Sequence, residues 1–147
     1  MRLSAPAELP GEDTQAHRFG RAREAQATAV TEDYVELIDD LVTTGGEARP
    51  TDIARRLGVA HATAIKTIAR LKRDGFAVSR PYRGVFLTEQ GRELACRVRA
   101  RHRLVVEVLT TLGVPEEVAE ADAEGIEHFV SPATLTAFAA FLDRRDR

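Results

Sequence analysis

The sequence of 147 residues predicts a mainly α-helical fold with a single β-hairpin. Apolar residues recur three and four positions apart along most of the chain, which is the spacing of one helix face. Glycine and proline separate these segments and mark where helices end and begin. Two short β-rich runs flank the turn at residues 81–84, a pattern typical of two antiparallel strands.

Residues 1–30 are predicted to form a flexible N-terminal arm, because they contain prolines, scattered alanines and few large apolar side chains. His17 and the arginines of this arm offer contacts to DNA phosphates, although a solvated tail is the simpler interpretation. The first helix is expected to begin near Thr31, a suitable N-cap, and to end at Gly45–Gly46.

Two shorter helices and the hairpin complete a domain assigned to residues 31–95. The second helix is expected from Pro50, which suits a first helical turn, and a tight turn at Gly58 separates it from a third helix over residues 61–73. Three helices followed by a β-hairpin form a winged helix-turn-helix. The residues assigned to the inner face of the third helix are Ile65, Ile68, Ala69 and Leu71.

The rest of the chain is predicted to be helical, and residues 96–147 are assigned to a second domain. A long helix is expected to begin after Thr88, an N-cap, and to reach Leu112. A second helix begins at Pro115, and a third begins at Ser131–Pro132. One side of the long helix is apolar and predicts either a dimer interface or intrachain core: Leu104, Val105, Val108, Leu109 and Leu112.

The composition excludes several classes of protein. A single cysteine, Cys96, excludes an intrachain disulfide and a cysteine-based zinc site. No apolar segment approaches the roughly 20 residues needed to cross a bilayer, and the N-terminus lacks the apolar run of a signal peptide. We therefore expect a soluble, cytoplasmic protein with no membrane partner.

The net charge of −2 conceals three regions of different charge. Residues 31–48 contain six acidic residues and no lysine or arginine. Residues 49–103 contain fourteen basic and four acidic residues, whereas residues 104–147 contain nine acidic and three basic residues. A basic middle between acidic flanks indicates a segment that binds a polyanion beside segments that bind cations.

The third helix is predicted to be a DNA recognition helix, because the second helix of a helix-turn-helix enters the major groove. Its polar and cationic side chains suit base edges and phosphates, and the methyl groups of Ala62 or Thr63 suit a thymine methyl. The hairpin is expected to lie along the DNA backbone as a wing. The predicted DNA contacts are His61, Ala62, Thr63, Lys66, Thr67, Arg70, Arg80, Tyr82 and Arg83.

A set of carboxylates and imidazoles has the spacing of metal ligands. Residues three and four positions apart share one helix face, so each group below can converge on a cation. The oxygen-rich set suits Mn²⁺, and its histidines also admit Fe²⁺, Co²⁺ or Zn²⁺. Spacing alone does not bring the groups together, and helix-dipole or surface roles are alternatives for the first two. The three groups are Asp33 with Glu36, His102, and Glu124 with Glu127 and His128.

Four stretches of sequence carry a resemblance to a known family: DYVE at 33–36, YRGVFLT at 82–88, RH at 101–102 and DAEGIEH at 122–128. In this order, they resemble the manganese-responsive repressors of the diphtheria toxin repressor family. The resemblance covers about residues 31–141, and the last stretch is the most specific.

The resemblance implies a homodimer of winged helix-turn-helix domains joined by C-terminal helical domains, with a metal site between the two domains. All six candidate ligands fall on the family's ligand positions, and bridging carboxylates there serve two Mn²⁺ ions per subunit. Fe²⁺, Co²⁺, Zn²⁺ or Cd²⁺ are expected as substitutes. Glu127 and Asp33 stand where the iron-sensing branch has sulfur ligands, which favours manganese. The metal-bound dimer is expected to bind operator DNA and repress metal-uptake genes.

The residues alone are also compatible with other classes of function. An iron- or zinc-responsive repressor shares the same fold, and a winged-helix repressor can instead respond to an organic ligand. A small helical metalloenzyme is another alternative, but such enzymes usually supply Glu-x-x-His from each of two helices, whereas here a single helix carries the different spacing Glu-x-x-Glu-His at 124–128. A DNA-binding architectural protein would bind DNA without metal.

Overall fold

The computed structural model describes residues 8–147. Within this range the chain forms six helices and one two-stranded antiparallel sheet. In chain order the elements are α1 (Glu12–Gly45), α2 (Pro50–Leu57), α3 (His61–Arg73), β1 (Ala77–Arg80), β2 (Gly84–Leu87), α4 (Glu89–Thr111), α5 (Glu116–Phe129) and α6 (Pro132–Arg145).

The first helix is longer than the sequence predicts. It begins at Glu12, and not near Thr31, so the prediction of a flexible arm is wrong for residues 12–30. These residues are rich in alanine, glutamate, glutamine and arginine, which favour helix and extend one already started at the buried Tyr34. Two acidic residues in the first turn also suit the positive end of the helix dipole. The start of the predicted arm, residues 1–7, lies outside the described residues.

The DNA-binding unit is built on α1, α2, α3 and the hairpin, as predicted. Its core contains the buried side chains of Val35, Ile38, Ile53 and Leu71. The strands pair from Ala77 with Leu87 to Arg80 with Gly84. The chain therefore has the winged helix-turn-helix arrangement predicted from the sequence.

Gly84, the first residue after the hairpin turn, packs against the loop after α1. Its φ of +86° lies in the left-handed region, and an added Cβ would stand 2.5 Å from the Ala48 carbonyl oxygen. That oxygen accepts a hydrogen bond from the Val85 N–H at 2.9 Å. Only glycine allows this close approach, which holds the wing against the body of the domain.

The inner face of α3 differs from the prediction. Ile65 and Ala69 were expected inside but are exposed, whereas Ala64 and Thr67 are buried together with Ile68 and Leu71. Small alanines occur on several sides of α3, so its sequence does not define a single apolar stripe. Packing against α2 and β1 selects the face formed by residues 64, 67, 68 and 71.

Two predicted N-caps are confirmed in the second half of the chain. Thr88 Oγ1 accepts from the Gly91 N–H at 3.1 Å and donates to the Gly75 carbonyl at 2.6 Å, which joins the start of α4 to the end of α3. Ser131 caps α6 by accepting from the Thr134 N–H. The long helix α4 then packs against α1, α5 and α6. None of the helices within residues 8–147 is long and apolar enough to cross a membrane.

Candidate metal centre and nucleic-acid interface

Three helices bring candidate ligands together between the two halves of the molecule. Asp33, Glu127 and His128 form one group, and His102, Glu124 and Glu127 form another. In each group one potential ligand atom per residue lies within 4.8 Å of the others. Glu127 belongs to both groups, so its carboxylate stands between two candidate cation positions.

The distances show how closely these side chains approach. His128 Nε2 lies 2.8 Å from Asp33 Oδ1 and 3.4 Å from Glu127 Oε1. On the other side, His102 Nδ1 lies 2.6 Å from Glu127 Oε2 and 3.7 Å from Glu124 Oε1. The two oxygens of Glu127 therefore face different histidines.

Glu36, the sixth predicted ligand, lies beside these groups but is not a member of either. It lines a cavity of about 350 Å³ together with Asp33 and Glu124. Burial raises the pKa of Glu36 to about 7, and repulsion from Glu127 and Glu124 contributes to the rise. The raised pKa of Glu36 therefore reflects mainly its burial and, in second place, the neighbouring carboxylates.

The pKa values of the other buried ligands reflect both burial and the neighbouring charges. Burial raises the pKa of Glu127, whose side chain is 0% exposed. Burial by itself lowers the pKa of His102, but hydrogen bonds with Glu120 and Glu127 outweigh it and raise the pKa above its ordinary value. Asp33 has the same effect on His128, again against the influence of burial. In the metal-free protein, protons thus partly neutralise the carboxylates. A bound cation would take over this role.

Unsatisfied buried atoms show that the site fits a metal. Glu127 Oε1 and His128 Nδ1 are buried and make no hydrogen bond, and the contact of His128 Nε2 with Asp33 at 2.8 Å lacks hydrogen-bond geometry. Such atoms are costly unless a partner satisfies them. The donors are carboxylate oxygens and imidazole nitrogens, which suit Mn²⁺ and neighbouring divalent ions of the first transition row. The residues present therefore fit one or two such cations.

Three residues around the site were not found by sequence reasoning. Glu120 Oε2 lies 2.6 Å from His102 Nε2. Its position one helical turn before Glu124 could have indicated that it shares the helix face of the ligands. Arg101 forms an ion pair with the buried Glu32, which joins α4 to α1 behind His128. No spacing rule predicts such a pair, because its members are far apart in the sequence.

We expect Glu36→Gln to stabilise the metal-free protein above pH 7. The folded protein retains a proton on Glu36 up to about pH 7, whereas an unfolded chain loses it near 4.5. The stability due to this proton is therefore full below pH 4.5 and is lost as the pH rises to 7. Glutamine keeps the neutral form at every pH. Since Glu36 is partly exposed, we expect a gain of about 1–2 kcal/mol at pH 8.

Urea unfolding at pH 5 and pH 8, in the presence of a chelator, measures this effect. Glu24→Gln changes an exposed residue of the same helix and is the matched control. An equal change in the free energy of unfolding at both pH values would contradict the assignment.

Most of the predicted DNA contacts are accessible to solvent. On α3, His61, Ala62, Thr63 and Lys66 are exposed and Arg70 is partly exposed. The predicted contact of Thr67 with DNA is wrong. Thr67 is only 9% exposed and packs into the domain core, where it cannot reach DNA. The wing adds the exposed Arg80, Tyr82 and Arg83.

The wing presents its cations in a fixed arrangement. The guanidinium groups of Arg80 and Arg83 lie over the Phe86 ring, 4.7 and 5.5 Å from its centre. Tyr82 at the tip is 95% exposed and has a φ of 63°, and its carbonyl oxygen accepts from Arg49 Nη2 at 3.2 Å. A protruding tyrosine between arginines suits contact with a sugar–phosphate backbone.

Two sequence models of one family match the chain. The N-terminal DNA binding domain of the iron dependent repressors matches residues 26–85, and their metal binding and dimerisation domain matches residues 88–147. The winged helix-turn-helix and the carboxylate–histidine centre define a metal-dependent transcriptional repressor, and the chain belongs to this family, also called the diphtheria toxin repressor family. The family is a class of DNA-binding regulators and not of enzymes.

Within the family, the chain is similar to the transcriptional regulators MntR. It is 50% identical over 123 residues to MntR of Salmonella typhimurium, which covers 84% of this chain and 78% of that protein. It is 45% identical over 137 residues to MntR of Escherichia coli O157:H7, covering 93% and 88%.

A solved structure also matches, that of a manganese-dependent transcriptional repressor in complex with manganese. The TM-score is 0.64 and the identity 28%, over 76% of this chain and 52% of that one. The chain thus spans about half of the solved protein.

Proposed function

We propose that the chain is a manganese sensor that binds operator DNA as a homodimer and represses metal-uptake genes when Mn²⁺ is bound. The shared carboxylate of Glu127 between two groups of ligands is the observation that carries this proposal. It supports two ions per subunit, with Fe²⁺, Co²⁺, Zn²⁺ and Cd²⁺ as substitutes, and selection of Mn²⁺ rests on the oxygen-rich ligand set and not on affinity alone. The proposed ligands are Asp33, Glu36, His102, Glu124, Glu127 and His128. A regulator of this kind works in the cytoplasm, where its DNA is.

The proposed mechanism depends on α1, which belongs to both halves of the molecule. Val35 and Ile38 pack into the core of the DNA-binding unit, while Asp33 and Glu36 face α5 across the candidate metal centre. Bound Mn²⁺ supplies positive charge that removes the repulsion between these carboxylates. Without it, the acidic residues of α1 and α5 repel each other and loosen the contact between the helices.

The position of α1 sets the position of the recognition helices in the dimer. A helix-turn-helix dimer binds two half-sites about 34–36 Å apart, so both α3 helices must be held at that spacing. The ligands of α1 tie each DNA-binding unit to the dimerising half of its subunit. DNA affinity then depends on metal, and DNA must increase metal affinity by the same factor.

Fluorescence anisotropy with labelled promoter DNA tests this function. DNA from the chain's own promoter and from manganese-transporter promoters would be titrated at fixed salt with Mn²⁺, with anaerobic Fe²⁺, with Zn²⁺ and with chelator. We expect selective binding with Mn²⁺ at least tenfold tighter than with chelator, which corresponds to a typical coupling energy. Equal binding under all conditions would disprove a metal switch, and a stronger response to Fe²⁺ or Zn²⁺ would change the proposed metal.

Binding of Mn²⁺ is expected to release protons and to weaken as the pH falls. Glu36 has a pKa of about 7 in the metal-free protein, and those of His102 and His128 are raised, so all three carry protons that a cation must displace. We expect a loss of about tenfold in affinity for each pH unit and proton released, beginning near the pKa of about 7 of Glu36. Calorimetric titration in buffers of different ionisation enthalpy counts the protons. Affinity that is unchanged between pH 7.5 and 5.5 would exclude the histidines as ligands.

A further inference from the structure

An apolar patch lies on the exposed face of the proposed recognition helix. Ile65 is 45% exposed, although a branched aliphatic side chain is usually buried in a domain core. Ala62 and Ala69, three positions before and four after, lie on the same side of α3 and are also exposed. Because both neighbours are small, Ile65 projects beyond them as the largest apolar group on this face.

Cations surround this patch. Lys66 and Arg73 are exposed on the same side of α3, and Arg70 at its edge is partly exposed. The face thus combines an apolar centre with a basic border. The cations suit phosphates and base acceptors, but they do not explain an isoleucine among them. Ile65 borders the buried face formed by residues 64, 67, 68 and 71, but folding leaves 45% of it exposed, so the core does not use the whole side chain.

The major groove contains one apolar feature that varies with sequence, the C5 methyl group of thymine. An exposed aliphatic side chain in the first half of a recognition helix is placed to contact it. We propose that Ile65 is a specificity-determining residue that selects thymine at one position of each half-site, through contact with this methyl group. The inference rests on the proposed use of α3 to read DNA.

Thymine and deoxyuridine differ only in the C5 methyl group, and this permits a direct test. Sites would first be selected from random duplexes by the full chain with Mn²⁺. Each thymine of the preferred site would then be replaced singly, in both half-sites, by deoxyuridine. We expect one symmetric position at which the wild-type protein loses about fourfold in affinity per half-site, the effect of burying one methyl group. Ile65→Ala should bind the thymine and deoxyuridine duplexes equally at that position.

Matched variants separate this inference from the function on which it rests. Val118→Ala changes an exposed apolar residue of α5 and should keep the wild-type sensitivity to deoxyuridine. Lys66→Ala should weaken binding to every duplex, which tests the use of α3. If Lys66→Ala weakens binding but Ile65→Ala retains the methyl sensitivity, the role of Ile65 is wrong while the proposed function stands. If Lys66→Ala binds as the wild type does, α3 is not the reading helix and both assignments fail.

Discussion

Replacing Glu127 with alanine is expected to abolish metal-dependent DNA binding without unfolding the protein. Its carboxylate is the only member common to both groups of ligands found in residues 8–147, so its loss affects both. Loss of a neighbouring hydrogen-bond partner of a ligand typically costs 10–100-fold in metal affinity, and we expect more than about 100-fold for a shared ligand. Because Glu127 is fully buried and burial raises its pKa, removing its charge offsets part of the cost of the cavity and of the lost contact with His102, and the metal-free variant should remain folded.

Calorimetric Mn²⁺ titration and DNA anisotropy would measure these effects. Glu117→Ala replaces an exposed glutamate on the same helix and should leave both unchanged. Glu127→Gln keeps the shape of the side chain and should resemble Glu127→Ala in metal binding. Wild-type manganese affinity in Glu127→Gln would show that the carboxylate is not a ligand.

Gly91→Ala is expected to have the largest effect on stability. Gly91 lies in the first turn of α4, and an added Cβ would overlap the Phe76 carbonyl oxygen and press on Leu87 Cβ. The carbonyl already accepts a hydrogen bond from the Thr88 N–H at 3.0 Å, so it is not free to move. We expect the free energy of unfolding to fall by about 2–4 kcal/mol, as for overpacking a closed site.

Gly20→Ala is a control in which the same substitution in a helix is expected to increase stability. An added Cβ there meets only the end of the Arg23 side chain at 3.8 Å, so this variant should gain about 0.5–1 kcal/mol. Thermal unfolding of both variants in chelator gives the comparison. A Gly91→Ala protein as stable as Gly20→Ala would mean that α4 does not pack so closely on the hairpin.

The sequence predicted the elements that have strong local signals. Pro50, Thr88 and Ser131 mark helix starts, and α2, α4 and α6 begin at or directly after them. The extension of α1 before Thr31 lacked such a signal, since Gly11 caps the helix without a side-chain hydrogen bond. The error on Ile65 and Thr67 has another cause. The face that α3 buries is set by contacts with α2 and β1, which depend on tertiary structure.

The candidate metal centre could be predicted only in part from the residues. The spacing of Glu124, Glu127 and His128 indicates one helix face, but it says nothing about Asp33 or His102. Packing of α1, α4 and α5 brings these distant segments together. At the sequence level, only the resemblance to a known family implied that assembly.

The length of α1 makes its first residues sensitive to small rotations at the metal centre. Glu12 precedes Asp33 by 21 positions, a distance of about 32 Å along a helix. A tilt of about 5° at Asp33 would move the beginning of α1 by roughly 3 Å, far more than any ligand needs to move. The solvent-exposed start of this helix therefore amplifies small movements of the ligands. A spin label at Ala16 would report such movements from a distance.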